Sequence, residues 1–224
     1  MRQSYIGFTA AAALAVLTAA CGSQEGQVIE NFFRAVQAKD TQTVSSFSKA
    51  QFDKTVKSWK VKEIGQEQRS PAPLAGLAAA LKAADDAVAE NKKNASAYFN
   101  AHPLEVDKVK PLVEAGSAVP ANLKQTAEDW KKFNDDDKAL KIKAAEAKVA
   151  YDREKQLVEM STGQKGADAD ALTGDLILKT ATVEVEADGD VKTYNIAIRK
   201  YDVSAPGQTV KVMSRWLIQT ITPQ

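Results

Sequence analysis

Two side chains are each the sole member of their type, and they bound the chemistry open to this chain. Cys21 is the single cysteine and His102 the single histidine among 224 residues. One thiol closes no disulfide within a chain. One cysteine with one histidine also leaves no Cys-based or multi-His zinc site, because such sites draw several ligands of those types. A serine nucleophile would need His102 as its base, oriented by a third group, yet His102 precedes Pro103 between two helical patterns. The remaining candidates are oxygen ligands. Asn134-Asp135-Asp136-Asp137 is the densest run, but successive helical positions point about 100° apart and do not converge as the ligands of a calcium loop do. That run is expected on a solvated helix surface, or as the cap of a helix restarting at Asp135. Asp168 and Asp170 match only the first two positions of an EF-hand loop, since position five is Leu172, and read as a polar loop. Asp188-Gly189-Asp190 is explained by turn chemistry. No catalytic residue, cofactor site or metal site is expected, and Tyr194 and Trp216 are expected to pack a core.

Cys21 is distinguished by what precedes it. Met1-Arg2-Gln3-Ser4 is a short basic start, followed over 5–20 by small and apolar residues without a charge. This run suits a signal peptide and is shorter than a spanning helix. It closes on Leu17-Thr18-Ala19-Ala20-Cys21-Gly22, which resembles the lipobox of bacterial lipoproteins, with Thr18 where leucine is more usual. The resemblance implies diacylglyceryl transfer to the Cys21 thiol, cleavage before it and a mature chain starting there. A thiol capped in this way is also lost to any pairing with His102. With Gly22 rather than aspartate second, the resemblance further implies sorting to the outer membrane, facing the periplasm. Two or more acyl chains anchor a protein stably, at ~0.8 kcal/mol per buried CH₂. Residues 21–27 would be the lipidated tether.

The chain carries 30 Lys and Arg against 29 Asp and Glu, and losing Arg2 with the leader leaves 29 against 29. That balance lacks the basic excess of a nucleic-acid binder. Apolar residues at 44 % and charged residues at 26 % describe a folded domain.

The elements are legible by period. Val28, Ile29, Phe32, Phe33, Ala35 and Val36 form one apolar helical face, and Asp40 or Thr41 can cap a second helix with Val44 and Phe47. Residues 58–67 alternate imperfectly through Trp59, Val61 and Ile64, as a strand with an irregularity near Glu63, ended at Ser70-Pro71-Ala72-Pro73. Three strands are expected in the last third. One runs from Asp175 through Val183 and Val185, with a phase change near Lys179. The next carries Tyr194, Ile196 and Ile198, and the last alternates from Val210 through Trp216 to Ile218. Between these regions, 74–100 and 121–161 repeat apolar or small residues at spacings of four and three, including Leu77, Leu81, Ala84 and Val88, then Leu140, Ala144, Ala147, Tyr151 and Val158. An antiparallel helical hairpin follows, its turn region over 102–120 holding a short helix. Its alanine-lined seam predicts that much of the burial is mutual.

Helix, short helix, strand and three meandering strands is the order of the nuclear-transport-factor-2-like, or cystatin-like, α+β cone. The residues carrying the likeness are Val28-Ile29-Glu30-Asn31-Phe32-Phe33-Arg34-Ala35 with Lys39-Asp40, and the closing Arg215-Trp216-Leu217-Ile218. The chain resembles small envelope lipoproteins with that fold. The resemblance implies N-terminal helices on a curved four-stranded antiparallel sheet over 28–70 and 163–224, with the helical hairpin of 71–162 as an insertion outside the family pattern. Relatives such as ketosteroid isomerase use acidic and tyrosine residues inside the cone, but no such set matches here position by position. The expectation is therefore a non-enzymatic, membrane-anchored protein-interaction or structural module, whose hairpin meets an envelope protein partner. The alternative is a carrier or sensor holding a small apolar ligand in the cone.

Overall fold

The structure, a computed structural model, describes residues 22–224. The expected leader and Cys21 lie outside the described residues. The fold is α+β, with an open antiparallel sheet of five strands. Helix α1 (Gln24–Gln37) starts earlier than its apolar stripe, because the Ser23 hydroxyl accepts from Gly26 N at 3.1 Å and caps it. It ends where Lys39 turns left-handed at φ 57°. Asp40 then caps α2 (Thr41–Phe47), accepting from Thr43 N at 2.9 Å.

Strand β1 (Val56–Ile64) has the irregularity expected near Glu63, a register shift between Val61 and Glu63 against its partner. The strand does not end there. After Gly65, whose N–H still reaches Thr180 O at 2.8 Å, a fifth strand β2 (Gln68–Pro71) pairs with the same neighbour. Pro71 is tolerated because it closes an edge strand. The expected four-stranded sheet thus gains a strand. β3 (Thr173–Ala187) and β4 (Asp190–Ser204) form a hairpin closed by Asp188 and Gly189, at φ 54° and 88°, the left-handed pair that a two-residue turn requires. β5 (Leu217–Pro223) completes the order β1, β3, β4, β5, with β2 beside β3.

Two sequence expectations change here. No phase change occurs at Lys179. Ile177, Lys179 and Ala181 stay on one face, and the pairing of β3 with β4 is unbroken. The interruption in the pattern arises because this end of the sheet is buried on both faces. Ile177 joins the core beneath α1, while Leu176 joins a second core on the opposite side. The last strand is also shorter than its alternation, starting at Leu217 instead of near Val210. Lys211 still bridges to Ser204 and Val212 N donates to Val203 O at 2.8 Å, but Arg215 N donates to Ser161 O at 2.9 Å, so the end of α5 interrupts the ladder before Leu217.

The first core sets Ile29, Phe32 and Phe33 of α1 on Val183, Tyr194, Ile196, Ile198 and Trp216. Tyr194 and Trp216 are therefore core residues, with Phe32 among their neighbours. Rings tie it to the following loop: Phe33 meets Phe52 edge-on at 5.5 Å and stacks on Trp59 at 5.8 Å, and Phe52 meets Tyr194 at 5.2 Å. The second core belongs partly to the helices between the strands. These are α3 (Leu74–Ala101), α4 (Pro103–Glu114), α5 (Lys124–Thr162) and the short α6 (Ala167–Asp170). Leu74, Leu157, Val158 and Ala169 from them cover Leu176, Tyr201, Val203 and Leu217.

Candidate functional site

Helices α3 and α5 run antiparallel, since Asn91 Nδ2 donates to Phe133 O at 3.3 Å and Tyr98 OH to Asp129 at 2.8 Å. At 1.5 Å per residue α5 extends about 58 Å. Buried residues sit only at its two ends: α5 has none between Ala127 and Glu154, and α3 has none beyond Leu74. Two helices alone cannot close their seam from water, so its alanines and leucines remain half-buried. The free end is tightened by α4, which lays Val109 on Leu123 and Ala127, and by the rings of Tyr98, Phe99, Trp130 and Phe133. On the outer side of α5, Ile142 and Val149 are exposed seven residues apart, hence on one face; Leu104 of α4 is exposed as well.

His102 occupies the joint between α3 and α4. Its ring lies 4.8 Å from Tyr98 and its Nδ1 is 3.0 Å from Glu105 Oε2. Glu105 in turn accepts from Thr126 at 3.5 Å, and no serine hydroxyl bonds to this ring among the described residues. Asn134 to Asp137 lie within the unbroken α5, so no helix restarts at Asp135. Asn134 donates to Trp130 O at 2.7 Å, and Asp137 pairs with Lys141 at 2.6 Å. Among the described residues no three His, Cys, Asp or Glu gather as metal ligands. Asp170, expected in a loop, lies on α6 and fastens it to α5 through Lys155 and Tyr151, both at 2.6 Å. Burial alone would raise its carboxyl, but those two bonds outweigh that and hold it below its ordinary value.

The root of the arm holds a polar node that sequence reasoning missed. Glu154 of α5 accepts from Arg199 Nη2 and from Tyr201 OH, both at 2.6 Å, with Arg199 only 4 % exposed and Glu154 7 %. Burial pushes the Tyr201 phenol far upward, so it is a neutral donor at any ordinary pH. Arg199 Nε has no partner among the described residues. The available signal was position: Glu154 falls three residues after Tyr151 and four before Val158, on the seam itself, where a carboxylate is out of place.

Arg215 is a second junction. Its Nε donates to Met160 O and its Nη2 to Ser46 O, both at 2.8 Å, so one guanidinium caps the C-termini of α5 and α2 together. Beside it opens a groove of about 1120 Å³ between the start of α1, the end of α2, the end of α5 and the 213–216 segment. A smaller one of about 610 Å³ lies under α2 and the 48–55 loop. Neither occupies the space between α1 and the sheet, which Phe32, Phe33, Tyr194 and Trp216 fill. No protein-family model matches the chain, and neither a curated protein nor a solved structure is significantly similar to it.

Proposed function

We propose that this chain is a non-enzymatic lipoprotein of the bacterial envelope, anchored through Cys21 in the outer membrane and facing the periplasm, whose helical arm binds a protein partner. The observation that carries the partner reading is the arm itself. An insertion that served only to stabilise the body would bury its length against that body, yet here burial is confined to the root and the tip. The exposed stripe of Ile142 and Val149 gives a partner helix or strand an apolar strip to cover. We read the body as a cystatin-like cone, supported by α1 lying across the β1, β3, β4, β5 order and by Trp216 and Ile218 packing on its Phe32 face. A filled interior supports scaffolding over ligand carriage, because carriers keep a pocket there.

Two experiments test the reading. Cys21→Ser should abolish labelled-palmitate incorporation and release the protein from membranes or block its maturation; unchanged labelling and membrane retention would reject the anchor. A photo-crosslinking residue placed at Ile142 or Val149 in living cells should give a discrete adduct with one envelope protein, and one placed at Lys54 on the body should not. Adducts from Lys54 alone, or from none of the three positions, would reject the arm as the contact element.

A further inference from the structure

The groove at the foot of the body lies beside the expected anchor. Helix α1 begins at Gln24, which lines that groove. Three peptide units separate Gln24 from Cys21, so the chain can place at most about 11 Å between their Cα atoms. Whatever bilayer holds an acylated Cys21 is therefore close to this face. The chemistry of the face suits that neighbour. Its apolar wall is built from Val28, Phe47, Met160, Met213 and Trp216. Met213 is 91 % exposed, the most exposed large apolar side chain among the described residues. It extends the apolar wall of the groove outward, and it is contiguous apolar surface of this kind, rather than one exposed side chain, that marks an interaction or membrane face.

The charges at the rim point the same way. Lys49, Lys165 and Arg215 stand there against Glu159 alone. Glu159 is engaged by Gly166 N at 3.1 Å, Lys49 holds only the Gln156 amide, and Arg215 is spent on main-chain carbonyls. Neither Lys49 nor Lys165 has a carboxylate within ion-pair distance among the described residues. A cationic rim above an apolar trough fits an anionic phospholipid, phosphate at the lysines and acyl chain along the wall.

We infer that this groove is the membrane-facing surface of the protein, and that it seats an anionic lipid of the same bilayer in which Cys21 is anchored. The inference rests on lipidation at Cys21. It turns the anchor from a loose leash into one of two contacts that fix how the body stands on the membrane.

The test uses the lipidated protein reconstituted in phosphatidylcholine vesicles with and without phosphatidylglycerol. Met213→Cys supplies the single free thiol, because Cys21 is acylated, and an environment-sensitive fluorophore on it is challenged with doxyl-labelled lipid. In phosphatidylglycerol vesicles its quenching should exceed several-fold that of the same fluorophore at Asp190→Cys, in the β3–β4 turn. Adding Lys49→Glu and Lys165→Glu should bring it down to the Asp190 level. Equal quenching at 213 and 190, with palmitate incorporation and vesicle association intact, would overturn the inference while leaving the anchor standing. So would quenching at 213 that ignores phosphatidylglycerol and both lysine changes. Loss of palmitate incorporation would overturn the anchor, and the inference with it.

Discussion

Replacing residues 71–162 by a Gly/Ser linker should leave a chain that does not fold, whereas replacing only 84–144 should leave one that does. Loop length is not the obstacle, because closure entropy changes slowly with it. What decides the outcome is where the arm ends and the body begins. The larger excision strips Leu74, Leu157 and Val158 from the second core and exposes Tyr201 and Leu217 beneath them. Removing buried side chains of this size costs roughly 2–5 kcal/mol each for leucine, against a total stability of about 5–15 kcal/mol for a domain. It also removes Glu154 and the carbonyls of Met160 and Ser161 that hold the 214–216 segment. The smaller excision touches none of these. The trimmed protein should lose helical ellipticity and keep a cooperative melt with intact near-ultraviolet signals from Trp59 and Trp216. A cooperative melt after the larger excision, or its absence after the smaller one, would show the boundary to be misplaced.

The second large effect is expected at Glu154. Glu154→Ala should destabilise the protein by about 3–5 kcal/mol, because it leaves the Arg199 charge buried without a counter-ion. Tyr201 would lose its acceptor in the same step. The pair need not be stabilising in itself, since Arg199 Nε is already unpartnered and both ions are withdrawn from water. Glu154→Leu combined with Arg199→Met should therefore restore most of the lost stability, by covering the second core with apolar atoms of similar volume. Denaturant titration of the single and double variants separates these effects. A single-variant loss below about 1 kcal/mol would mean that water reaches Arg199 in solution.

Much of this fold could be read from spacing alone. The α1 face, the imperfect β1, the Asp188-Gly189 turn and both long helices announce themselves through period and turn residues, because each is largely decided by neighbours in sequence. The failures share a different cause. Near Lys179 the strand pattern reads as a slip, yet it records a second layer of helices that covers Leu176 from the other side. From Val210 to Trp216 the alternation promises a strand, but Ser161, distant in sequence, takes both main-chain groups of Arg215, its O accepting from Arg215 N and its Oγ donating to Arg215 O. β2 was hidden by its Ser-Pro ending, which is permitted at a sheet edge. The node of Glu154, Arg199 and Tyr201 was legible only as an anomaly on the seam. Cys21 was singled out by its flanks alone, as the proposed lipid-attachment site, and that reading draws on no element of the fold.

The position of the arm between β2 and β3 bears on the order in which the molecule assembles. Pro71 must find Asp175 across 103 intervening residues, and Val56 must find Ala187 across 130, separations that slow folding when a chain must search them as coil. A helical hairpin that closes on itself first removes most of that search, since its root brings Leu74 next to Leu157 and Val158. The β3–β4 ribbon is equally local. Two early, self-sufficient pieces would then meet, with the seam acting as a zipper that shortens the route to the sheet. On this view the arm is a folding chaperone in cis before it is anything else, and trimming it should slow refolding less than loosening its root.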